Sequence, residues 1–374
     1  MPLPIADPAR YDAQLEDKVR LFRAEFARFD PPAPQVHRSA PLHYRLRAEF
    51  RIWHRGGHGD DSRCSYVMFA PEAPETPIDI DSFPIGALRI NQLMPVLLSH
   101  VNSQPALSRR LFQVEFLTTL SGETLVTLIY HRKLDPAWQQ AALQLREQLN
   151  TGDSGTIGVM GRSRGQKVVL DRDHVTETLD VAGRTLHYRQ IEGSFTQPNG
   201  GINRQMLEWA SEQTSSLGGD LLELYCGNGN FTIALAPNFN RVLATEIAKS
   251  SVRAAQHNLA ANGIDTVSLV RMSSEEISTA LSGGRAFRRL RDIPLDEYRF
   301  STLLVDPPRS GLDETTLALA RRFDNILYIS CNPQTLHANI AALQSSHRMG
   351  ALALFDQFPY THHLECGVLL QRSR

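Results

Sequence analysis

The chain has 374 residues, enough for two domains with a core each. Its formal net charge is -1, with 22 basic and 22 acidic residues up to residue 185 and 17 against 18 beyond it, so no charged tail or block names a partner and any polyanion surface must come from local placement. Cys64, Cys226, Cys331 and Cys366 are dispersed without a C-x-x-C, which argues against structural zinc and iron–sulfur ligation; the start M-P-L-P-I-A-D-P lacks the parts of a signal peptide and no apolar run is long enough to span a membrane, so a reducing cytoplasmic setting is expected.

Residues 11–29 read as a helix with Leu15, Val19, Leu21, Phe22 and Phe26 on one face, a packing helix stopped by Pro31, Pro32 and Pro34. Residues 43–53 alternate as a half-buried strand. Leu46, Ala48, Phe50 and Ile52 point inward, and Arg45, Arg47, Glu49 and Arg51 point outward. Those arginines suit phosphate contact, or equally a solvated face balanced by Glu49. A turn over 56–61, a strand over 66–69, a loop over 71–77 and a helix over 85–98 follow. Residues 110–118 and 124–130 read as an antiparallel pair joined near Ser121-Gly122. Strict alternation puts Phe112 with Val114 and Phe116, where an aromatic is most often core. A helix over 138–149 precedes a hairpin of 156–159 and 167–170, whose tip carries Arg162, Arg164 and Lys167 and suits phosphate contact. This half reads as an α/β accessory domain rich in antiparallel sheet.

The register changes after Gly183, which gives domains of 1–185 and 186–374. Residues 195–203, F-T-Q-P-N-G-G-I-N, are too polar and turn-rich for core and lead into a helix over 204–214. Strands are then expected at 221–225, 241–246, 267–270, 302–306 and 326–330, alternating with helices, before an antiparallel pair at 351–358 and 366–370. That is a doubly wound, mostly parallel, Rossmann-like sheet. An insertion over 282–296 brings Arg285, Arg288, Arg289 and Arg291 together as a second candidate phosphate surface, or a solvated one.

Three strands end in chemistry. In E-L-Y-C-G-N-G-N-F, Gly227 and Gly229 let the backbone pass closely beneath a ligand, and Glu246 ends the next strand where a carboxylate can take both ribose hydroxyls. NAD, FAD and S-adenosylmethionine all fit that pattern. The short, incomplete glycine fingerprint and Asp306-Pro307-Pro308 at a later strand end favour S-adenosylmethionine. Cys331 follows an apolar strand in Y-I-S-C-N-P, where backbone donors are expected to lower its pKa. Glu365 stands just before the last strand, within reach of the same cleft. His362 and His363 are neighbours whose side chains should diverge, and no third ligand accompanies them, so no metal is expected. A thiol beside a methyl donor suits a pyrimidine: adding at C6, it makes C5 nucleophilic, and a base then removes the C5 proton. A base within a folded nucleic acid must be flipped out to reach such a cleft.

With F-T-Q-P-N, D-L-L-E-L-Y-C-G-N-G-N-F, L-A-T-E-I-A-K, V-D-P-P-R-S-G-L-D and Y-I-S-C-N-P in hand, the chain closely resembles the bacterial tRNA (uracil-5-)-methyltransferases, end to end. The resemblance implies transfer of a methyl group from S-adenosylmethionine to uridine 54 of the tRNA T-arm, without a metal. It implies Cys331 as nucleophile, Glu365 as base, and Gln197, Tyr225, Asn230, Glu246 and Asp306 as cofactor residues. It also implies that Phe112 holds the T-loop, against the core reading of an isolated aromatic, and that Arg309 sits at the RNA with Arg45, Arg47 and Arg51. The 1–185 domain would then recognise RNA. Relatives that act on ribosomal RNA often carry an extra domain and cluster cysteines that this pattern lacks. Gly200-Gly201 departs from the tRNA enzymes and is expected to loosen its loop. Alternatives are C5 methylation of another RNA, a nucleotide-dependent oxidoreductase, and a tRNA-folding factor on a methyltransferase scaffold. A monomer is expected.

Overall fold

The computed structural model describes residues 6–56, 63–70, 72–151 and 156–373. Its strands in chain order are β1 (Gln35–His37), β2 (Arg47–Arg55), β3 (Arg63–Ala70), β4 (Ala73–Asp79), β5 (Leu111–Thr118), β6 (Thr124–Tyr130), β7 (Ile157–Ser163), β8 (Gln166–Val169), β9 (His174–Val181) and β10 (Arg184–Ile191). They continue as β11 (Asp220–Leu224), β12 (Arg241–Thr245), β13 (Val267–Val270), β14 (Phe300–Val305), β15 (Asn325–Ser330), β16 (His347–Phe355) and β17 (Glu365–Arg372).

The chain forms two compact units, each discontinuous. One comprises Met1–Pro8, Ala40–Thr178 and Gln190–Gly200; the other comprises Ala9–Ser39, Leu179–Arg189 and Gly201–Arg374. The expected boundary at 185 falls inside the β9–β10 hairpin, through which the chain passes between units. Residues 9–39, placed in the first domain by sequence, cluster with the second unit because β1 pairs with β16 and the helix Tyr11–Phe26 gives Phe22 and Phe26 to that unit's core.

The first unit is built on a seven-stranded sheet in the order β4-β3-β2-β5-β6-β7-β8. Its pairs are antiparallel except β6–β7. That parallel pair needs a crossover, supplied by the helix Pro136–Leu149. Asp135 caps this helix by accepting from the Trp138 amide at 2.8 Å, and Pro136 opens it. The loop expected over 71–77 is instead largely strand β4, from Ala73 on. An edge strand tolerates the polar residues and Pro77 that argued against it. The turn expected over 56–61 lies, apart from Gly56, outside the described residues.

The second unit holds an eight-stranded sheet in the order β1-β16-β17-β15-β14-β11-β12-β13. All its pairs are parallel except those of β17, which runs antiparallel to both neighbours. After contributing β1 at one edge, the chain re-enters this sheet at β11, builds outward to β13, then returns to β14 on the other side of β11. The strand ends beside this reversal are where α/β sheets bind ligands. β11, β12, β14 and β15 are almost wholly buried, which is why they read as continuous apolar runs.

Candidate active site

Tyr225 follows β11, Glu246 follows β12, Asp306 follows β14 and Cys331 follows β15, so parallel pairing brings all four to one edge of the sheet. Glu365 joins them for the opposite reason. It opens an antiparallel strand, whose beginning lies where its neighbours end. Ser330 pairs with Cys366 as the last pair of the ladder, so Cys331 and Glu365 are the next residues beyond it on the two strands, and the Glu365 charge acts on the Cys331 thiol.

Cys331 is held between a strand and a helix. Asn332 caps the helix Pro333–Leu343 by accepting from the Gln334 amide at 3.1 Å, and its own amide donates to Ser330 Oγ at 3.2 Å. Asn332 Nδ2 and Thr335 Oγ1 both donate to the Arg309 carbonyl, at 2.9 and 3.2 Å, which ties the Cys331 turn to the Asp306–Arg309 turn. The thiol is half-buried. Burial pushes its pKa up from 9.0, and Glu365 and Asp306 push the same way against Arg309. The expected lowering by the backbone is present but small: lost hydration first, and then the surrounding carboxyls, outweigh it, so the net shift is upward.

Glu365 is buried, and burial, with Asp306 behind it, raises its pKa to about 8. Burial raises Asp306 to about 7. Glu223, central in β11, is raised to about 8 by burial, with Asp306 adding and Thr232 opposing. Carboxyls that would be ionised in water are thus held near neutrality, where a proton acceptor works best. Sequence reading passed over Glu223; its signal was a carboxylate in a strand that is otherwise Leu and Asp at the sheet's centre.

Toward β12 the edge becomes a cradle. Tyr225, Gly227 and Gly229 have φ of 61°, 58° and 84°. A Cβ on Gly227 would meet nothing within 4 Å, so glycine serves the backbone conformation and leaves the face above it open. The Gly227 amide donates to Glu246 Oε2 at 3.1 Å and the Ala248 amide to Oε1 at 2.7 Å, fixing the carboxylate while each oxygen keeps a lone pair. Tyr225 donates to Ser274 Oγ at 2.8 Å, and the Asn230 and Asn203 amides exchange bonds of 2.8 and 3.0 Å. An open glycine turn beside a fixed carboxylate fits the ribose end of a nucleoside cofactor. Gln197 belongs to the Gln190–Gly200 segment of the first unit and is partly buried. Residues 195–203, expected to be too polar for core, nonetheless bury Thr196, Asn199 and Asn203, and the helix begins at Gly200 rather than 204. Nor does Gly200 loosen this stretch. A Cβ there would lie 2.6 Å from Leu46 and 2.9 Å from Leu120, so glycine permits close packing.

A cavity of about 700 Å³ in the second unit has Cys331 in its wall, with Lys18, Arg309, His362 and His363 around it. The two histidine rings do not diverge as expected; their centroids are 4.1 Å apart at 40°, in a stretch of bends and coil rather than a strand. Lys18 was also missed. Its signal was a lysine on the buried stripe of Leu15, Phe22 and Phe26.

In the first unit, Phe112 is not on the core face. Leu111 pairs with Tyr130 and Gln113 with Ile129, so Phe112 is the extra residue of a β-bulge, which turns it away from Val114 and Phe116. Its ring stacks with His131 at 3.9 Å, the Arg51 guanidinium lies 3.5 Å over its centroid, and a cavity of about 290 Å³ opens beside it. Of the three outward arginines only Arg51 is exposed. Arg45 donates to the Arg47 carbonyl at 2.9 Å, and Arg47 donates to the Ser194 carbonyl at 2.9 Å beside Glu115. At the expected basic tip, Arg162 and Lys167 are paired with Glu192 and Asp173; in the 282–296 insertion Arg289 is paired with Glu276.

The sequence model of the tRNA (uracil-5-)-methyltransferase family matches residues 10–373. A tRNA/tmRNA (uracil-C(5))-methyltransferase of Azoarcus sp. strain BH72 is 61% identical over 373 residues, covering 100% of both chains. One of Dechloromonas aromatica strain RCB is 60% identical over 372 residues, again covering 100% of both. Among solved structures, Pyrococcus abyssi tRNA (uracil-54, C5)-methyltransferase in complex with S-adenosyl-L-homocysteine superposes with a TM-score of 0.70 at 20% identity, over 96% of this chain and 83% of that one, a likeness of fold.

Proposed function

The chain belongs to the tRNA (uracil-5-)-methyltransferase family, and from that premise we propose that it methylates C5 of uridine 54 in the tRNA T-loop, giving 5-methyluridine, with S-adenosylmethionine as donor. The observation that carries the reading is that Cys331 and Glu365 both lie just beyond the last β15–β17 pair, at the strand edge that also holds Asp306 and Glu246.

C5 of uridine is a poor nucleophile. In the proposed reaction Cys331 Sγ, as thiolate, bonds to C6, and the electrons of the 5,6 double bond move toward O4 as an enolate. C5 is then nucleophilic, and S-adenosylmethionine supplies the electrophilic methyl group there. The Glu365 carboxylate takes the C5 proton, the double bond re-forms, and the thiolate leaves from C6. Glu246, Tyr225, Asn230, Asp306 and Gln197 hold the cofactor. Phe112 with Arg51, and Arg309, meet the RNA, and the first unit is the RNA-recognition part. Base flipping brings the uridine to the cavity beside Cys331. The relatives' names pair tmRNA with tRNA, so a T-like loop in a second RNA is a further proposed substrate. The setting is cytoplasmic.

The test is incubation with labelled S-adenosylmethionine and a T-arm hairpin, followed by mapping of the modified nucleoside. The wild type yields 5-methyluridine at one loop position. Cys331→Ala yields none and forms no covalent adduct. Glu365→Gln turns over about 10²–10⁴-fold more slowly and accumulates a covalent protein–RNA complex. Full activity in Cys331→Ala sinks the covalent route; activity on a ribosomal fragment but not the hairpin corrects the substrate.

A further inference from the structure

Glu365 stands at the end of a turn that one helix holds. Lys18 is buried and uses three donors: its Nζ lies 2.6 Å from Asp356 Oδ1, 2.9 Å from the Phe358 carbonyl and 3.0 Å from the His363 carbonyl. These acceptors span the 356–363 segment between β16 and β17. One turn earlier on the same helix face, Gln14 Nε2 donates to Asp356 Oδ2 at 3.0 Å, and its Oε1 accepts from the Tyr360 amide at 3.3 Å. Tyr11, a further turn back, meets the Tyr360 ring edge-on at 6.2 Å. Tyr360 itself is left-handed at φ 62°, a strain that persists only where surroundings fix it. His363 is two residues before Glu365 and lines the cavity with Lys18 and Cys331.

We propose that Lys18 is a positioning residue: its ammonium, with Gln14, pins the 356–363 turn and thereby sets where the Glu365 carboxylate meets the C5 proton. A lysine can do this because it offers three donors from one point to a charge and two carbonyls converging from one loop. The proposal rests on Glu365 being the base. It separates the helix Tyr11–Phe26 from the packing role that its apolar stripe alone suggests.

The full chain is assayed on a T-arm hairpin carrying tritium at C5 of the target uridine, so that tritium release reports proton removal directly. The variants are Lys18→Met, Lys18→Met with Asp356→Leu, and Gln14→Leu. The double variant removes both buried charges and regains most of the stability that Lys18→Met alone loses, yet leaves the Phe358 and His363 carbonyls unheld. Tritium release is expected to fall about 10–100-fold in both Lys18 variants, and less in Gln14→Leu, with KM for RNA near the wild type and methylated covalent adduct accumulating. A double variant that melts like the wild type and releases tritium at the wild-type rate overturns the proposal. If neither Lys18 variant folds, unchanged release in Gln14→Leu overturns it instead. Glu365→Gln in parallel keeps the two questions apart: normal release there removes the base assignment itself, whereas stalled release with normal Lys18 variants removes only this inference.

Discussion

Two shifted groups are expected to set the pH behaviour of the proposed site. Glu365 accepts a proton only as carboxylate, and burial with Asp306 raises its pKa to about 8. The Cys331 thiol is pushed up from 9.0 by burial and the same carboxyls. In the proposed reaction both must lose a proton to act, so single-turnover rates are expected to climb with pH through about 8, where a water-like carboxylate would already be flat. A pH–rate profile that is level from pH 6 upward contradicts this. Glu223 makes a stability prediction of opposite slope. Its folded pKa of about 8 exceeds the ordinary 4.5, so the folded state binds the extra proton between those values. Its contribution is therefore present below 4.5, is lost as pH rises, and levels off above about 8. Glu223→Gln should leave stability near the wild type at pH 5 and raise it by about 2–4 kcal/mol at pH 8, read by denaturant melts at the two pH values.

Strand direction and one bulge decide what those residues can do. β17 alone reverses the sheet, and only that reversal starts Glu365 at the edge where β15 delivers Cys331. Gly367 keeps the strand down: a Cβ there would lie 2.5 Å from the Trp209 ring, which is buried and cannot yield as a flexible chain end would. Gly367→Ala is expected to cost about 1–3 kcal/mol and to lower kcat more than it raises KM, since the strand that shifts carries the proposed base. Denaturant melts and steady-state kinetics on the hairpin check both parts. In the first unit the β5 bulge does the comparable job for Phe112. Because that ring is half-buried and outside the core, Phe112→Ala should change stability by less than about 1 kcal/mol. If it stacks on a base, the hairpin's Kd should weaken by about 5–100-fold. Unchanged affinity would return Phe112 to a local stack with Arg51 and His131.

At the scale of the molecule, neither unit is one run of sequence. The second takes Ala9–Ser39 from the chain's start, and with it Phe22 and Phe26 of its core, strand β1 and the partner of the buried Asp356. A chain beginning at Ala40 should therefore lose cooperative folding of that unit. An unpaired buried carboxylate alone costs about 3–5 kcal/mol. Near-UV circular dichroism and titration with S-adenosylhomocysteine test it; a cooperative melt with full binding would show the helix to be dispensable.

The strand ends that carry the proposed chemistry were legible in the sequence because they are local. Apolar runs ending in E-L-Y-C-G, in D-P-P and in S-C-N-P are strand ends, and a parallel sheet must gather such ends on one edge, so Cys331, Asp306, Glu246 and Tyr225 could be named before any coordinates. The hairpins and the antiparallel closing pair followed from alternation and turn residues. What sequence could not supply is whatever depends on distant neighbours. A thiol's pKa depends on carboxyls dozens of residues away. An inserted residue flips Phe112 without altering the pattern of residue types. Glycine at 200 answers to Leu46 and Leu120, and lysine on an apolar stripe answers to Asp356 at the other end of the chain. Periodicity reports which face a residue occupies; only packing decides what it meets there.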